Sequence, residues 1–470
     1  MIHTIRQQYL HISINGTESD GLALQARLSR LCNDWLLPAL ERVLDRHAPT
    51  AGHLYIERLE IDAGTLSMER LEADLAQTVA QAVEKAIREQ LSAEAAPTAT
   101  FSNHVQPKTE VQALEEAFAY FLRTGRLPWS FRLTEGKTFE QAILDSWVAD
   151  AGFRFGKEAL LRTLVTATAR KRLLRQFSVH FRDRLLARFA PAARETVENI
   201  RKSLYTSGIE TTAIERFTNQ LTEVALARMA KGETTTEKQL IGDAWHSLPD
   251  MGSQGADLKN ALERQWPGYT SGTKAHSNHP LSAGKEPPTF QEEPSETVPE
   301  AAESKEGIYI DNAGLVLLNP FLPRFFEALG LAGEDKLLHP DRALCLLHYL
   351  ATGQSVAPEY ELMLPKILCN IPLETPVELD ITLLEAEKEE ATALLKAVIR
   401  HWEALRNTTP DGLRGTFLLR PGKLSLRDDG DWLLQVEPQS FDILLDQLPW
   451  GISMIKLPWM ERMLWVEWSL

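Results

Sequence analysis

The triplet Gly136-Lys137-Thr138 is the part of this chain that comes nearest to a phosphate-binding loop. Such a loop wraps a phosphate in backbone amides and needs an earlier glycine, five positions before Gly136. Phe131 stands there, and no strand rich in Val or Ile leads in, so nucleotide chemistry is not expected. A metal could be imagined on His339, Cys345, His348 and Cys369, because Cys345 and His348 lie three apart and share a helix face. Their order matches no standard zinc pattern, and Cys345 is flanked by Leu344, Leu346 and Leu347, as a core thiol is. There is no Gly-x-Ser-x-Gly elbow and no His-Glu-x-x-His pair. The carboxylates of LEAEKEEA (384–391) read as periodic charges on a helix surface, and acid–base work would require their burial. The expectation is a protein without catalytic residues, cofactor-binding residues or metal ligands, and therefore not an enzyme.

Two side-chain groupings point instead to contacts. Arg162, Arg170, Lys171, Arg172, Arg175, Arg182, Arg184 and Arg188 form a basic stretch on predicted helices. A solvated face is the first reading, contact with an acidic protein surface the second, and nucleic acid the last, since no reader motif accompanies them. At the other end, PWGISMIKLPWMERMLWVEW gathers Trp450, Trp459, Trp465 and Trp468. Tryptophan is enriched at interaction hot spots and seldom wholly buried. Core packing accounts for two of them, and at least one is expected to face a partner.

Composition narrows the partners. A formal net charge of −15 sets the whole chain against nucleic acid and anionic lipid. No run of about 18 apolar residues is present to span a bilayer, and MIHTIRQQYLHISI is not a signal peptide. Three scattered cysteines, Cys32, Cys345 and Cys369, make no disulfide framework. A reducing compartment fits, so the expectation is a cytoplasmic protein, unless a machine exports it as part of a particle.

The elements that must position these groups follow from periodicity. Leu10, Ile12 and Ile14 alternate as a half-buried strand does. Leu24, Leu28, Leu31, Trp35, Ala39 and Val43 line one face of a helix. Leu54, Ile56, Leu59 and Ile61 form a second strand-like run, and Leu71, Leu75, Val79, Val83 and Ile87 a second helix. This β-α-β-α module covers 1–91, with its strands expected parallel. A linker over 92–110 precedes a helical region, 111–245, in which FAYFLRTGRLPW ends a helix at Gly125. Residues 246–306 are rich in Gly, Ser, Pro, Glu and Thr and read as a disordered linker. A C-terminal α+β domain occupies 307–470. In it His339-Pro340-Asp341 opens a helix running to Thr352-Gly353. Thr382 and Glu385 suggest a capping box. LSLRDDGDWLLQV reads as a hairpin, and GISMIKLP and LWVEW as further strands. The fold class is mainly α with α+β terminal modules. YFLRTG (120–125) echoes HYLATG (348–353), either as a common helix C-cap or as an old duplicated helical hairpin.

Several long strings in fixed order carry a resemblance. DNAGLVLLNPFLPRFFEALGL, HYLATG, PEYELMLPKILCNIPLETPV, NTTPDGLRGTFLLRPGKL and DILLDQLPWGISMIKLPWM resemble the tape-measure proteins of contractile injection systems, which are phage-tail-like particles. QARLSRLCNDWLLPALERVLDR followed by LYIERLEIDAG resembles the start of that family, and FLRTGRLPW its middle. The likeness covers residues 1–90 and 308–470, and the linker carries none. It implies a protein that sets inner-tube length by spanning from baseplate hub to tube tip, with inner-tube, hub or spike, and tube-cap proteins as partners. A compact assembly chaperone or baseplate adaptor of the same particle is the alternative.

Overall fold

The computed structural model describes residues 3–93 with short gaps, 105–149 apart from 135, 157–269 apart from 235 and 250, and 307–468 apart from 380. The linker expectation for 270–306 lies outside the described residues. The chain divides into two compact units, Met1–Ala117 with Pro128–Phe155, and Phe118–Leu127 with Gly156–Leu470.

In the smaller unit, α1 (Leu37–His47) and α2 (Leu71–Ala93) share a core. Leu36, Leu40 and Val43 face Val79, Val83 and Ile87, each set spaced by three or four residues so that it forms one stripe. Trp35 was expected on that stripe, yet it is 51% exposed while Leu36 is fully buried. The cause is a π turn, Cys32–Leu36, just ahead of α1. Its extra residue rotates the face by one position. The strand β1 (His53–Ile56) pairs antiparallel with β2 (Val105–Lys108), not parallel with a strand near residue 12. Among the described residues 8–14 join no sheet, and Leu10, Ile12 and Ile14 stay exposed. Alternation marks two faces of a segment but does not supply a neighbour for its backbone. The helices α3 (Glu110–Thr124) and α4 (Phe139–Ala149) follow.

The larger unit opens with a run of short helices: α5 (Lys157–Leu164), α6 (Ala167–Gln176), α7 (Val179–Phe189), α8 (Pro191–Tyr205), α9 (Thr211–Lys231), α10 (Glu237–His246) and α11 (Gly252–Gln265). Their ends are written locally. The Thr166 and Ser178 side chains cap α6 and α7, and Pro191 begins α8. Gly232 ends α9 at φ 68°, and Thr236 with Gln239 forms a capping box on α10. Val197, Ile200 and Leu204 of α8 meet Ile214, Phe217 and Leu221 of α9 and Leu258 and Leu262 of α11 in one core. Residues 251–269 were expected as linker, and this is a correction. Leu258, Leu262, Trp266 and Tyr269 are buried in that core, enough apolar surface to order a segment whose surroundings are polar.

The C-terminal part is α+β as expected. Its sheet runs β3-β4-β5-β7-β6, with β3 (Ile308–Ile310), β4 (Gly422–Leu426), β5 (Trp432–Val436), β6 (Met454–Ile455) and β7 (Leu464–Glu467). β4 and β5 form the hairpin across Asp-Asp-Gly-Asp, while β5 and β7 are parallel. One face of the sheet, with Ile308, Ile310, Leu424, Leu434, Val436, Leu464 and Val466, is buried. That core also takes in α12 (Leu322–Ala328), α13 (Pro340–Thr352), α14 (Met363–Leu368) and α15 (Glu385–His401). Proline starts α13, and Gly353 ends it at φ 74°. The α15 cap differs from expectation. The Leu384 N–H donates to the Glu387 carboxylate at 2.7 Å, so the reach-back comes from Glu387 and not Glu385.

Gly314 is where two segments of this core touch backbone to backbone. A Cβ there would overlap the Phe417 carbonyl. Gly314→Ala is expected to cost about 1–3 kcal/mol, the range for overpacking a filled site. Urea unfolding measures it, and an unchanged midpoint would remove the claim.

Candidate functional site

The helix α6 presents Ala169, Arg172, Leu173 and Gln176 inward, positions i, i+3, i+4 and i+7 of a single stripe. Two of the four are polar, and both find partners far along the chain. Arg172 Nε donates to Glu359 Oε2 at 3.0 Å, and Lys366 Nζ donates to Glu359 Oε1 at 2.7 Å. All three side chains are fully buried. Two cations against one carboxylate leave an excess positive charge, which backbone carbonyls solvate. Arg172 donates to Leu122 O and Glu374 O, both at 2.6 Å, and Lys366 to Leu373 O at 2.7 Å and Thr375 O at 2.8 Å. Burial pushes the Lys366 ammonium below the usual lysine range, with Glu359 pulling the other way.

Around this cluster α6 is stitched to residues 374–379. Arg175 donates to Pro376 O at 2.7 Å and Gln176 to Val377 O at 2.8 Å. Leu379 N–H donates to Arg175 O, and Glu359 N–H to Gln176 Oε1. Aromatic rings close the side of the joint. Phe177 stacks on Phe181 at 4.4 Å, and Phe121 meets Tyr360 edge-on at 6.0 Å. The end of α3 enters here too. Gly125 adopts φ 77°, and a Cβ on it would collide with the Glu359 carboxylate.

The basic stretch is therefore split. Lys171, Arg184 and Arg188 are exposed, but Arg172 and Arg182 are buried, and Arg182 donates to Asn219 Oδ1 at 2.8 Å. A solvated face describes only part of it. Glu387, read as a surface charge, is 6% exposed and binds Arg342 through both carboxylate oxygens. The Gly-Lys-Thr triplet has a plain local use. Thr138 and Gln141 exchange cap bonds at the start of α4, and Lys137 pairs with Asp145 at 2.7 Å. Cys345 sits in the C-terminal core, where burial pushes its thiol up to about 12.

The helix-end echo has a shared geometry. Thr124 and Thr352 each donate to the carbonyl four residues back and accept from the N–H two residues on. An arginine reaches each end from elsewhere. Arg172 donates to Leu122 O, and Arg414 to Leu350 O, in both cases two residues before the threonine.

The four tryptophans do not converge on one patch. Trp459 is 7% exposed and donates to Leu368 O at 2.7 Å. Trp450, half-buried, donates to Leu317 O at 3.0 Å. Trp465 donates to Asp431 at 3.1 Å and Trp468 to Asp442 at 3.0 Å, each ring carrying an arginine over it, Arg427 and Arg420 respectively. Every indole N–H of the four is thus used within the chain. Trp35, which periodicity placed on a buried helix face, is instead an exposed tryptophan.

Arg420 and Asp442 are buried and paired through two bonds, 2.6 and 2.8 Å. Burial works to raise the Asp442 carboxyl, but bonds from Arg420, the Gln439 N–H and Trp468 outweigh it and leave it below the usual value. Between the folded and unfolded values the unfolded chain binds more protons, so stability rises with pH. The contribution is complete above about pH 4, the ordinary aspartate value, and fades as pH falls through the depressed one. Acid titrations of unfolding are expected to show a shallower slope for Asp442→Asn than for wild type. Parallel slopes would deny the linkage.

Among the described residues no helix is long and apolar enough to cross a membrane. Comparison with curated proteins and with solved structures finds no match. A family model described as contractile injection system tape measure protein matches residues 2–468, running through the stretch between the two ends as well as the ends themselves. With the match spanning nearly the whole length, the chain belongs to the contractile injection system tape measure protein family.

Proposed function

We propose that this chain acts as a ruler by direct reach, spanning from the baseplate hub to the growing tube tip and performing no catalysis. Family membership along residues 2–468 carries the reading. The partners are the inner-tube, hub or spike, and tube-cap proteins, and the protein works in the cytoplasm or within the particle lumen. The exposed Trp35 and the half-buried Trp450, Trp465 and Trp468 are the side chains proposed to meet those partners, while Trp459 serves the core. Reach comes from the helical middle. Laid end to end as helix, residues 157–269 would span about 170 Å at the standard rise.

The test is tube length in engineered particles. Removing or duplicating about twenty residues between 111 and 245 is expected to shift tube length by about 30 Å if they lie as helix, and by about twice that if they lie extended. Tubes of unchanged length by electron microscopy would remove the ruler. A chain needed for assembly but missing from finished particles would point to an adaptor instead.

A further inference from the structure

The charged joint has an unusual build for a purely structural contact. Its segments come from positions 122, 172–176, 359, 366 and 373–379, and each holds a bond that the others cannot replace. Remove the 373–379 segment and Lys366 loses two of its three acceptors. Remove α6 and Glu359 loses both the Arg172 donor to its carboxylate and the Gln176 acceptor for its backbone N–H. A buried charge left without its partner is strongly unfavourable, so partial opening is disfavoured and the joint closes as a unit. Once fully open, the same groups return to water, which solvates them well. An apolar seam behaves otherwise, remaining adhesive after it parts.

We propose that the Arg172–Glu359–Lys366 cluster is a latch that holds the helical middle against the C-terminal domain in the compact chain and opens when the chain lengthens inside a tube. This rests on the ruler reading, because only a chain that lengthens needs to release α6. Arg175 and Glu378, a solvent-facing pair 3.8 Å apart at the rim of the joint, give a handle outside the buried cluster.

The experiment closes the latch covalently. In a Cys32→Ser background, full-length Arg175→Cys/Glu378→Cys protein is joined by a reducible thiol crosslinker and supplied to assembly reactions with the remaining particle components. The expected result is loss of full-length tubes, restored when reductant cleaves the crosslink. Wild-type tube yield and length with the crosslink intact would overturn the latch. Loss that reductant does not reverse counts equally against it. As a second arm without crosslinking, Glu359→Gln is expected to raise hydrogen exchange at the residue 359 and Leu379 amides by about 140- to 4,000-fold, the factor set by losing one partner of a buried pair. Unchanged exchange would contradict the joint's closing as a unit. Failure of the ruler is read separately, as tube length that ignores insertions and deletions while the crosslink still governs yield.

Discussion

Glu359→Gln lowers the stability of the larger unit by about 3–5 kcal/mol, the cost of leaving buried cations without their counter-charge. Arg172 and Lys366 both lie fully buried against this one carboxylate, and their remaining partners are neutral carbonyls. Glutamine keeps the shape and one acceptor but turns a donor toward one of the two cations. The loss therefore reflects charge, not volume. The companion variant tests that distinction. Replacing all three as Arg172→Met, Glu359→Leu and Lys366→Met leaves no ion to desolvate, and stability is expected to match wild type or exceed it. Urea unfolding followed by tryptophan fluorescence measures both. A loss under about 1 kcal/mol in Glu359→Gln, within the range of an ordinary substitution, would mean that water reaches the cluster and that the carbonyls alone suffice.

The second large effect belongs to Trp402. Its ring is fully buried, tilted against Phe417 at 4.7 Å, and its indole N–H donates to Leu444 O at 3.1 Å. Trp402→Ala is expected to cost about 3–5 kcal/mol through lost burial and the cavity left behind. Trp402→Phe keeps most of the ring contact and gives up the hydrogen bond, so about 1–2 kcal/mol is expected there. If the two variants unfold at the same urea concentration, ring packing is not what Trp402 contributes.

Local chemistry was the legible part of this molecule. The hairpin across Asp-Asp-Gly-Asp, the proline start and glycine stop of α13, and the stripes on α1 and α2 are each encoded within one or two helical turns. The order β3-β4-β5-β7-β6 was not legible, because pairing between strands is decided by distant residues. The joint was hidden for a related reason. A charged residue in a sequence defaults to solvent, and Glu359 lies 187 positions from Arg172. One signal was available. Arg172 and Gln176 occupy two places in the apolar stripe 169, 172, 173 and 176, where a side chain facing water has no business. Trp35 failed in the opposite sense, since the π turn Cys32–Leu36 changes the period and periodicity cannot announce its own interruption. Residues 251–269 were lost to averaging, their Leu258, Leu262, Trp266 and Tyr269 diluted by the polar window behind them.

The parallel pairing of β5 with β7 has a consequence for biosynthesis. β7 sits between β5 and β6, so the last of the five strands to leave the ribosome is the one that joins the other four into a single sheet. Until residue 467 has emerged, β5 shows a bare edge of the kind that recruits other chains. Nascent or prematurely terminated products therefore cannot complete the C-terminal domain. A chain that stops before β7 is therefore left with an unpaired β5 edge, whatever the state of its helical middle.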